Sequence, residues 1–476
     1  MVAVALSTFM TTLDGSIVNV SLPTIQHDLN TTWAAIEWVV MAYLLTLAGL
    51  LLSGGRLADV VGRRACFVTG LGIFTVGSGL CGLSHTITQL VAFRVLQAVG
   101  GALAVANGPA IITAVFPVAQ RGLALGLIGS IVSLGLTAGP ALGGLIAGSR
   151  LGWPWIFLVN VPVGTVAVGL GYWALQGLPR ARDGERFDYF GAALLLVTLG
   201  SLSLALSLGY RHGWTSAFSL SLLLSFLAGL ALFVAWELRH EHALFDLALL
   251  RNRQFASASG AAILVFVANS GVMFLLPFYL ERVVELTTRD TGLVLMTVSA
   301  ALSLMAPVAG AASDRIGTRI PTVTSLLAGS GALLLMTRLG TAPSVGALIG
   351  HLLLFGAAFG AFGAPNSSAM MGSVGTRQLG VASGMIALSR TIGQLMGVAV
   401  GGAVFAGATA TREMVARHED LLAAIGTADV FVRGFHAALY VAAGIAACAA
   451  VVAALRGSRR RAAPEGLTLG PPGRES

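Results

Sequence analysis

The stretch GRLADVVGRR at residues 55–64 is echoed by GAASDRIGTR at residues 310–319. Both contain a glycine, an aspartate four positions later, a second glycine after three more and an arginine two further on. Each stretch follows a long apolar run. This internal repeat predicts two halves of the same topology, related by an axis along the membrane normal, which is a recurrent arrangement in transporters.

The composition is that of a membrane protein. Of the 476 residues, 56% are hydrophobic and 10% are charged, whereas soluble domains average about 25% charged residues. Apolar runs of about 20 residues, enough to cross about 30 Å of hydrocarbon, recur along the whole chain. We predict an all-α integral membrane protein with 14 transmembrane helices. The predicted spans are 1–22, 36–55, 65–84, 87–115, 123–147, 156–176, 189–209, 217–237, 256–280, 291–312, 320–338, 345–370, 381–406 and 434–456.

Fourteen spans exceed two sets of six by two. We therefore predict an N-terminal six-helix bundle at residues 1–177, cytoplasmic links with two inserted spans at 178–254, a C-terminal six-helix bundle at 255–456 and a disordered cytoplasmic tail at 457–476. An even number of spans puts both termini on one side. Of the 28 arginines, 18 fall on that side and eight on the other, and the remaining two, Arg94 and Arg390, lie within spans. The positive-inside rule then predicts cytoplasmic termini in a plasma membrane protein.

The basic residues exclude several function classes. All 28 are arginines, and without a lysine there is neither a P-loop ATPase nor a retinal Schiff base. We interpret the net charge of +8 as anchoring to anionic lipid rather than as nucleic-acid binding. The three cysteines lack metal-ligand spacing, so no metal and no cofactor is predicted. A membrane-embedded enzyme would need a converging nucleophile, base or metal set, which we do not find.

One carboxylate, Asp14, lies within the apolar stretch MTTLDGSIVNVSLP at residues 10–23. A charge at bilayer depth is costly, which makes it a functional candidate. The helical rise places Arg94 of the fourth span at a similar depth, so we expect the two side chains to be partners. Asp14 would load a proton on one side and release it on the other as the pair closes and opens. The alternative is a static ion pair that holds spans 1 and 4 together.

Two further motifs concern conformational change. Asp59, after span 2, is expected to accept backbone N–H bonds at the start of a neighbouring helix, as a cytoplasmic latch that breaks when the protein opens inward. The predicted latch residues are Gly55, Asp59, Gly62, Arg63, Arg64 and, in the second half, Asp314. Span 5 carries glycines four residues apart, which form a flat strip for close helix packing, and a proline that bends the span. This span 5 glycine motif consists of Gly135, Gly139, Pro140, Gly143 and Gly144.

The substrate site is less well marked. The residues that we expect to line a cavity are Gln97, Asn269, Phe274, Phe362 and Arg390. Glu37 and Glu281 lie near the outer ends of spans 2 and 9, where we expect them to be solvated. The scarcity of acids inside spans argues weakly against a specialist for dications. For Arg390 we favour backbone carbonyls as partners over an anionic or zwitterionic substrate.

Together these motifs resemble the major facilitator superfamily and, more narrowly, its 14-helix drug:proton antiporter branch. The likeness covers nearly the whole chain. It is carried by LDGSIVNVSLP in span 1, GRLADVVGRR after span 2, RVLQAVGGA from Arg94 in span 4, GPALGG in span 5, WPWIFLVNVPVG before span 6, FDYFG at 187–191 and SGMIALSRTIGQLMGVAV at 383–400. The resemblance implies proton-coupled efflux by alternating access.

The same resemblance implies roles for individual residues. Asp14 would be the proton-linked acid of span 1 and Arg94 the span 4 arginine tied to proton transfer. Gly139 and Pro140 match the antiporter motif, and Asp59 with Arg63 matches the loop latch.

The sequence departs from the family pattern at three places. Ala98 stands where glycine is usual, and Pro154 stands where arginine is usual between two tryptophans. The chain starts 13 residues before Asp14, without a basic leader, so we expect the native start to lie upstream.

We therefore predict a proton-driven exporter of hydrophobic or amphipathic drugs. Its expected partners are a lipophilic small molecule, protons and the lipid bilayer, and it is expected to act as a monomer. A proton-coupled importer on the same fold is the nearest alternative, against which the span 5 glycine motif argues. An exporter dedicated to one endogenous metabolite stays open. A non-transporting receptor or scaffold would be indicated by a dispensable Asp14.

Overall fold

The structure, a computed structural model, describes residues 1–177, 188–239, 247–375, 379–409 and 427–456. All regular secondary structure in this described part is helical. The α-helices are α1 Val2–Asp28, α2 Trp33–Val61, α3 Arg63–Gly82, α4 Ile87–Val115, α5 Val118–Ala147, α6 Pro154–Leu158, α7 Asn160–Ala174, α8 Tyr189–His212, α9 Ala217–Glu237, α10 Arg253–Arg282, α11 Thr288–Ile316, α12 Arg319–Met336, α13 Val345–Met371, α14 Leu379–Thr409 and α15 Ala428–Ala454. A 3₁₀-helix, Leu247–Arg251, precedes α10.

The number of membrane-crossing helices agrees with the predicted fold. Within the described residues, 13 segments are long and apolar enough to cross a membrane, with α6 and α7 counted as one. The apolar segment Ile131–Ala147 of α5 is shorter and supplies the remaining crossing. The all-α membrane fold is therefore confirmed. Several helices extend beyond their predicted spans, as α2 does, because a helix that is longer than the hydrocarbon thickness tilts or projects into the interface.

The two halves repeat the same helix packing. In the first half α1 packs against α5, α2 against α4 and α3 against α7; in the second half α10 packs against α14, α11 against α13 and α12 against α15. Helices α8 and α9 pack against each other, and α8 also contacts α2 and α14. This is the duplication with an insert that the repeated motif predicts. The exact domain limits stay a prediction, since the link 178–187 and the tail 457–476 lie outside the described residues.

The repeated loop has the same backbone form in both halves. Gly62 after α2 and Gly317 after α11 have φ angles of 105° and 81°, a region that glycine adopts without steric cost. Arg64 donates to a backbone carbonyl of α7 at 2.9 Å. Arg319 donates to a carbonyl at the end of α15, the equivalent helix of the second half. The repeat therefore includes the contacts of its arginines as well as their spacing.

The halves contact each other at one end of the bundle. We call the side on which α1 begins the terminal side and the opposite one the far side. On the far side the hydroxyls of Thr24 and Thr288 lie 3.1 Å apart, and Arg282 donates to the side-chain oxygen of Gln26 at 3.2 Å. Both hydrogen bonds join α1 to the second half. They hold the far side of the bundle closed.

An aromatic cluster completes this closure. Trp33, at the start of α2, packs against Phe274, Phe278 and Phe405, with ring centroids 5.3, 5.1 and 5.0 Å away. The three phenylalanines belong to α10 and α14 of the second half. Because tilted and edge-on aromatic pairs each contribute about 0.5–1.5 kcal/mol beyond area burial, the cluster is a substantial part of the contact.

Candidate functional site

Asp14 and Arg94 form a buried ion pair. A terminal guanidinium nitrogen of Arg94 lies 2.6 Å from Oδ2 of Asp14, and the two residues are 0% and 1% exposed. The bond joins the middle of α1 to α4. The predicted partnership of the two residues is therefore present, although their role in proton transfer stays a prediction.

Two amides complete the coordination of the carboxylate. Gln97 donates to Oδ1 of Asp14 at 2.8 Å and accepts from Arg94 at 2.7 Å. Asn160 of α7 donates to the same Oδ1 at 3.5 Å and to Ser78 of α3 at 3.1 Å. Because every donor here is buried, the carboxylate exchanges water for protein partners.

This arrangement adds two residues to the predicted pair. Gln97 is 0% exposed and belongs to the ion-pair network in this conformation, and its predicted place in a substrate cavity stays a prediction. Asn160 and Ser78 were not singled out from the sequence. Asn160 lies inside the quoted stretch WPWIFLVNVPVG, and a buried asparagine in an apolar run was the signal that could have indicated it.

The Arg94 guanidinium is also held by α2 and α6. Its Nε donates to the Val39 carbonyl at 3.1 Å. Its Cζ lies 4.1 Å from the centroid of the Tyr43 ring and 5.7 Å from that of Phe157, distances typical of cation–π contacts. Movement of α1, α2, α4, α6 or α7 relative to the others therefore disturbs the pair.

The span 5 glycine motif brings α5 close to the helix that carries Asp14. Gly135, Gly139 and Gly143 face α1, where Cβ atoms would collide with it or press against it. Ser16 of α1 donates to the Gly135 carbonyl at 3.1 Å. The motif therefore packs against α1 at backbone distance, as predicted from its spacing.

A second face of the same motif contacts the other half. Gly144 meets α11 at Gly292, and a Cβ atom on Gly144 would lie 2.8 Å from the Gly292 Cα. A Cβ atom on Gly292 would in turn collide with the Pro140 carbonyl oxygen. One turn further into the bundle, Thr137 and Ser303 are joined by a 2.9 Å hydrogen bond. The motif therefore links the Asp14 helix to the far-side closure.

The structure describes the side chains of some of the predicted latch residues. The side chain of Asp59 lies outside the described residues, so its predicted contact stays a prediction. Arg63 donates to the Ala110 carbonyl of α4 at 3.4 Å, and a Cβ on Gly55 would meet open space. Asp314 is exposed. The arginine Arg64 also lies over an aromatic ring of α7 at 4.5 Å.

The predicted cavity residues divide into two groups. Phe274 belongs to the far-side aromatic cluster and Phe362 is 3% exposed, so in this conformation both are packed in the interior. Asn269 and Arg390 are partly exposed. Among the described residues no backbone carbonyl accepts a hydrogen bond from Arg390. The carbonyl partners that we favoured are thus not found there.

The expectation that Glu37 is solvated is wrong. Glu37 is 1% exposed, and Ser207 of α8 donates to its Oε2 at 2.8 Å. Helices α8 and α14 cover this end of α2, which a position near the end of a span does not reveal. Glu281, for which the same was expected, is partly exposed.

Two similarly packed halves, the first of which holds a buried mid-membrane ion pair, are the architecture of a secondary transporter. Comparison with known proteins gives the family. The sequence model of the Major Facilitator Superfamily matches residues 4–189 and 179–398. The chain belongs to this superfamily.

Several relatives are bacterial transporters. The chain is 33% identical to the riboflavin transporter RibZ of Clostridioides difficile over 85% of its own length and 88% of that protein. It is 35% identical to the multidrug resistance protein Stp of Mycobacterium tuberculosis, with 85% and 75% coverage. It is 29% identical to the tetracenomycin C resistance and export protein of Streptomyces glaucescens, with the same coverage. The protein is therefore a multi-pass transporter of the plasma membrane.

Among solved structures, the fold is similar to that of a bacterial homologue of the human lysosomal transporter Spinster. The TM-score is 0.67 at 17% identity, over 96% of this chain and 95% of the other. That structure is described as inward-facing and unoccupied. At this identity the likeness concerns the fold alone.

Proposed function

We propose that this protein is a proton-coupled antiporter that exports hydrophobic or amphipathic compounds from the cytoplasm by alternating access. The terminal side is then cytoplasmic, and the closed far side corresponds to an inward-facing state. The observation that carries the proposal is the buried Asp14–Arg94 pair, with its 2.6 Å bond at the centre of the first half. The names of the multidrug and antibiotic exporters among the relatives support the direction of transport.

The energetics of the pair suit a proton switch. Separating a buried ion pair so that one charge is left unpaired costs about 3–5 kcal/mol. A proton on Asp14 removes the attraction to Arg94, so this cost is met at the protonation step and the pair then separates without opposing that attraction. A proton-motive force of about 150 mV supplies about 3.5 kcal/mol per proton, an energy of the same order. No ATP site or cofactor is needed for this mechanism.

The helices that hold the Asp14–Arg94 pair connect it to the far-side closure between the halves. Asp14 lies on α1, which packs against the span 5 glycine motif, and that motif meets α11 on the far side. In the proposed cycle, protonation from the far side loosens α1 from α4. Release of the proton to the cytoplasm restores the pair when substrate is bound for export.

The test is substrate-driven proton movement in proteoliposomes, with a panel of lipophilic cations, neutral antibiotics and anions. Wild type is expected to exchange protons for at least one class. Asp14→Asn is expected to bind the same compounds and to lose coupling by more than tenfold. The exposed acid Asp429, at the start of α15, supplies the control variant Asp429→Asn, which should behave as wild type. Full coupling in Asp14→Asn would mean that the ion pair is static.

A second candidate function is proton-coupled transport of one dedicated solute, including uptake. The riboflavin transporter among the relatives favours it. The same assay separates the two, because a symporter moves protons in the direction of its substrate and an antiporter moves them in the opposite direction.

A further inference from the structure

Glu37 is a buried acid that the proposed Asp14 mechanism does not use. It lies one turn into α2, at the far side, and is 1% exposed. Its position is the junction of three units: α2 of the first half, α8 of the inserted pair and α14 of the second half. No other acid of the described residues has so little exposure except Asp14.

Within the described part of the chain, the surroundings of Glu37 offer hydrogen bonds but no charge. Ser207 of α8 donates to Oε2 at 2.8 Å. The indole of Trp33, on the same helix, also interacts with this carboxyl group. From α14, the backbone of Gly402 lies so close that a Cβ atom there would collide with Oε1. None of these groups titrates, and among the described residues no cation interacts electrostatically with Glu37.

The contrast with Asp14 indicates the protonation state. Asp14 has Arg94 within 2.6 Å and two amide donors, so its negative charge is compensated. An ionised carboxylate that is buried without a cation is expensive, and such a group neutralises instead. Glu37 is therefore expected to carry a proton while the far side is closed.

Opening of the far side would expose this carboxyl group. Its cover consists of α8 from the inserted pair, α14 from the second half and Trp33. The Trp33 ring is packed among Phe274, Phe278 and Phe405 of the second half. When the halves separate there, Gly402 and the three rings leave together. Water then reaches Glu37, and a solvated glutamate is ionised at neutral pH.

We propose that Glu37 is a second proton-binding site, which takes up one proton from the far side each time the transporter closes there. The proton is released to the same side on opening, so Glu37 carries none across the membrane. External acidity thereby favours the return to the far-side-closed state after substrate has left. The inserted helices take part, because Ser207 of α8 holds the carboxyl group. The inference rests on the proposed orientation and alternating access.

The sign of the pH effect follows from linkage. The closed state binds one proton more than the open state, so acidification stabilises the closed state. The ratio of closed to open protein should rise by up to about tenfold for each pH unit below neutrality. The effect fades where Glu37 of the open state is itself protonated.

The experiment measures the far-side equilibrium directly. Spin labels at the exposed residues Leu151, after α5, and Leu293, on α11, report the separation of the halves. The protein is reconstituted in nanodiscs and examined from pH 5 to pH 9. All variants carry Asp14→Asn, which removes the acid of the proposed coupling mechanism, so the readout does not depend on whether Asp14 couples transport.

The outcomes differ between Glu37→Gln and its control. Glu37→Gln keeps the hydrogen-bond acceptor for Ser207 but cannot ionise, so it should stay closed at every pH. The exposed acid Glu285 supplies the control Glu285→Gln, which should keep the pH response of the parent. A pH response that persists in Glu37→Gln, or is absent from the parent, would overturn the proposal. Failure of proton coupling in liposomes would instead count against the proposed function.

Discussion

The far-side contact between α5 and α11 can be tested with one methyl group. A Cβ atom on Gly144 would lie 2.7 Å from the Thr288 carbonyl oxygen and 2.8 Å from the Gly292 Cα. Ordinary contacts of carbon atoms need about 3.5–4.0 Å. Both obstacles are backbone atoms, so relief requires α11 to move away from α5 by roughly 1 Å. Gly144→Ala therefore acts on the interface between the halves.

The cost can be estimated from overpacking. Extra methyl or methylene groups forced into well-packed sites typically cost about 1–3 kcal/mol. The methyl group clashes only while the far side is closed, so the whole cost acts on the equilibrium between the closed and open states. A bias of this size changes the population ratio by about 5- to 150-fold toward the open state.

The assay uses the label pair at Leu151 and Leu293, with the exposed Cys448 replaced by alanine. Gly144→Ala should add a second population with a longer distance and should slow transport. The matched control is Gly331→Ala on α12, where a Cβ atom meets nothing within 4 Å. Both changes gain the same helix propensity, about 0.5–1 kcal/mol. Identical distance distributions in the two variants would refute the assignment of this contact as the far-side closure.

Two more changes test the buried charges. Gln97→Leu removes a donor to Asp14 and an acceptor of Arg94. Leaving buried groups unpaired costs about 1–3 kcal/mol, so coupled transport should fall about tenfold. Unchanged coupling in liposomes would exclude a positioning role of Gln97. Arg390→Met removes a cation that has no hydrogen bond among the described residues, so the melting temperature in detergent should rise by several degrees. A lower melting temperature would show that Arg390 is structural.

The site was partly predictable because depth along a helix can be counted. Helical rise alone placed Asp14 and Arg94 at one level, and the structure joins them at 2.6 Å. The contact of Gln97 with this pair was not predicted, although Gln97 lies one turn from Arg94. Whether a polar residue faces a partner or a cavity depends on the rotation of its helix. The hydrophobic periodicity and composition of the sequence do not determine that rotation when nearly every position is apolar.

The error on Glu37 has a different origin. Its position near the end of a span suggested that water solvates the side chain, and the structure does place Glu37 near the end of α2. What buries the side chain is the cover of α8 and α14, which come from positions far along the chain. Ser207, its partner, lies 170 residues away.

The sequence by itself determined the membrane class, the number of spans, the internal duplication and the motifs, because apolar length and residue spacing are local properties of the chain. The polar contacts and the closed side were decided only by the tertiary structure. In a bilayer the lipid is as apolar as the helices, so burial of apolar surface does not select the partner of a helix. Close packing at Gly144 and Gly402, and a few hydrogen bonds such as that of Asp14 with Arg94, make that selection.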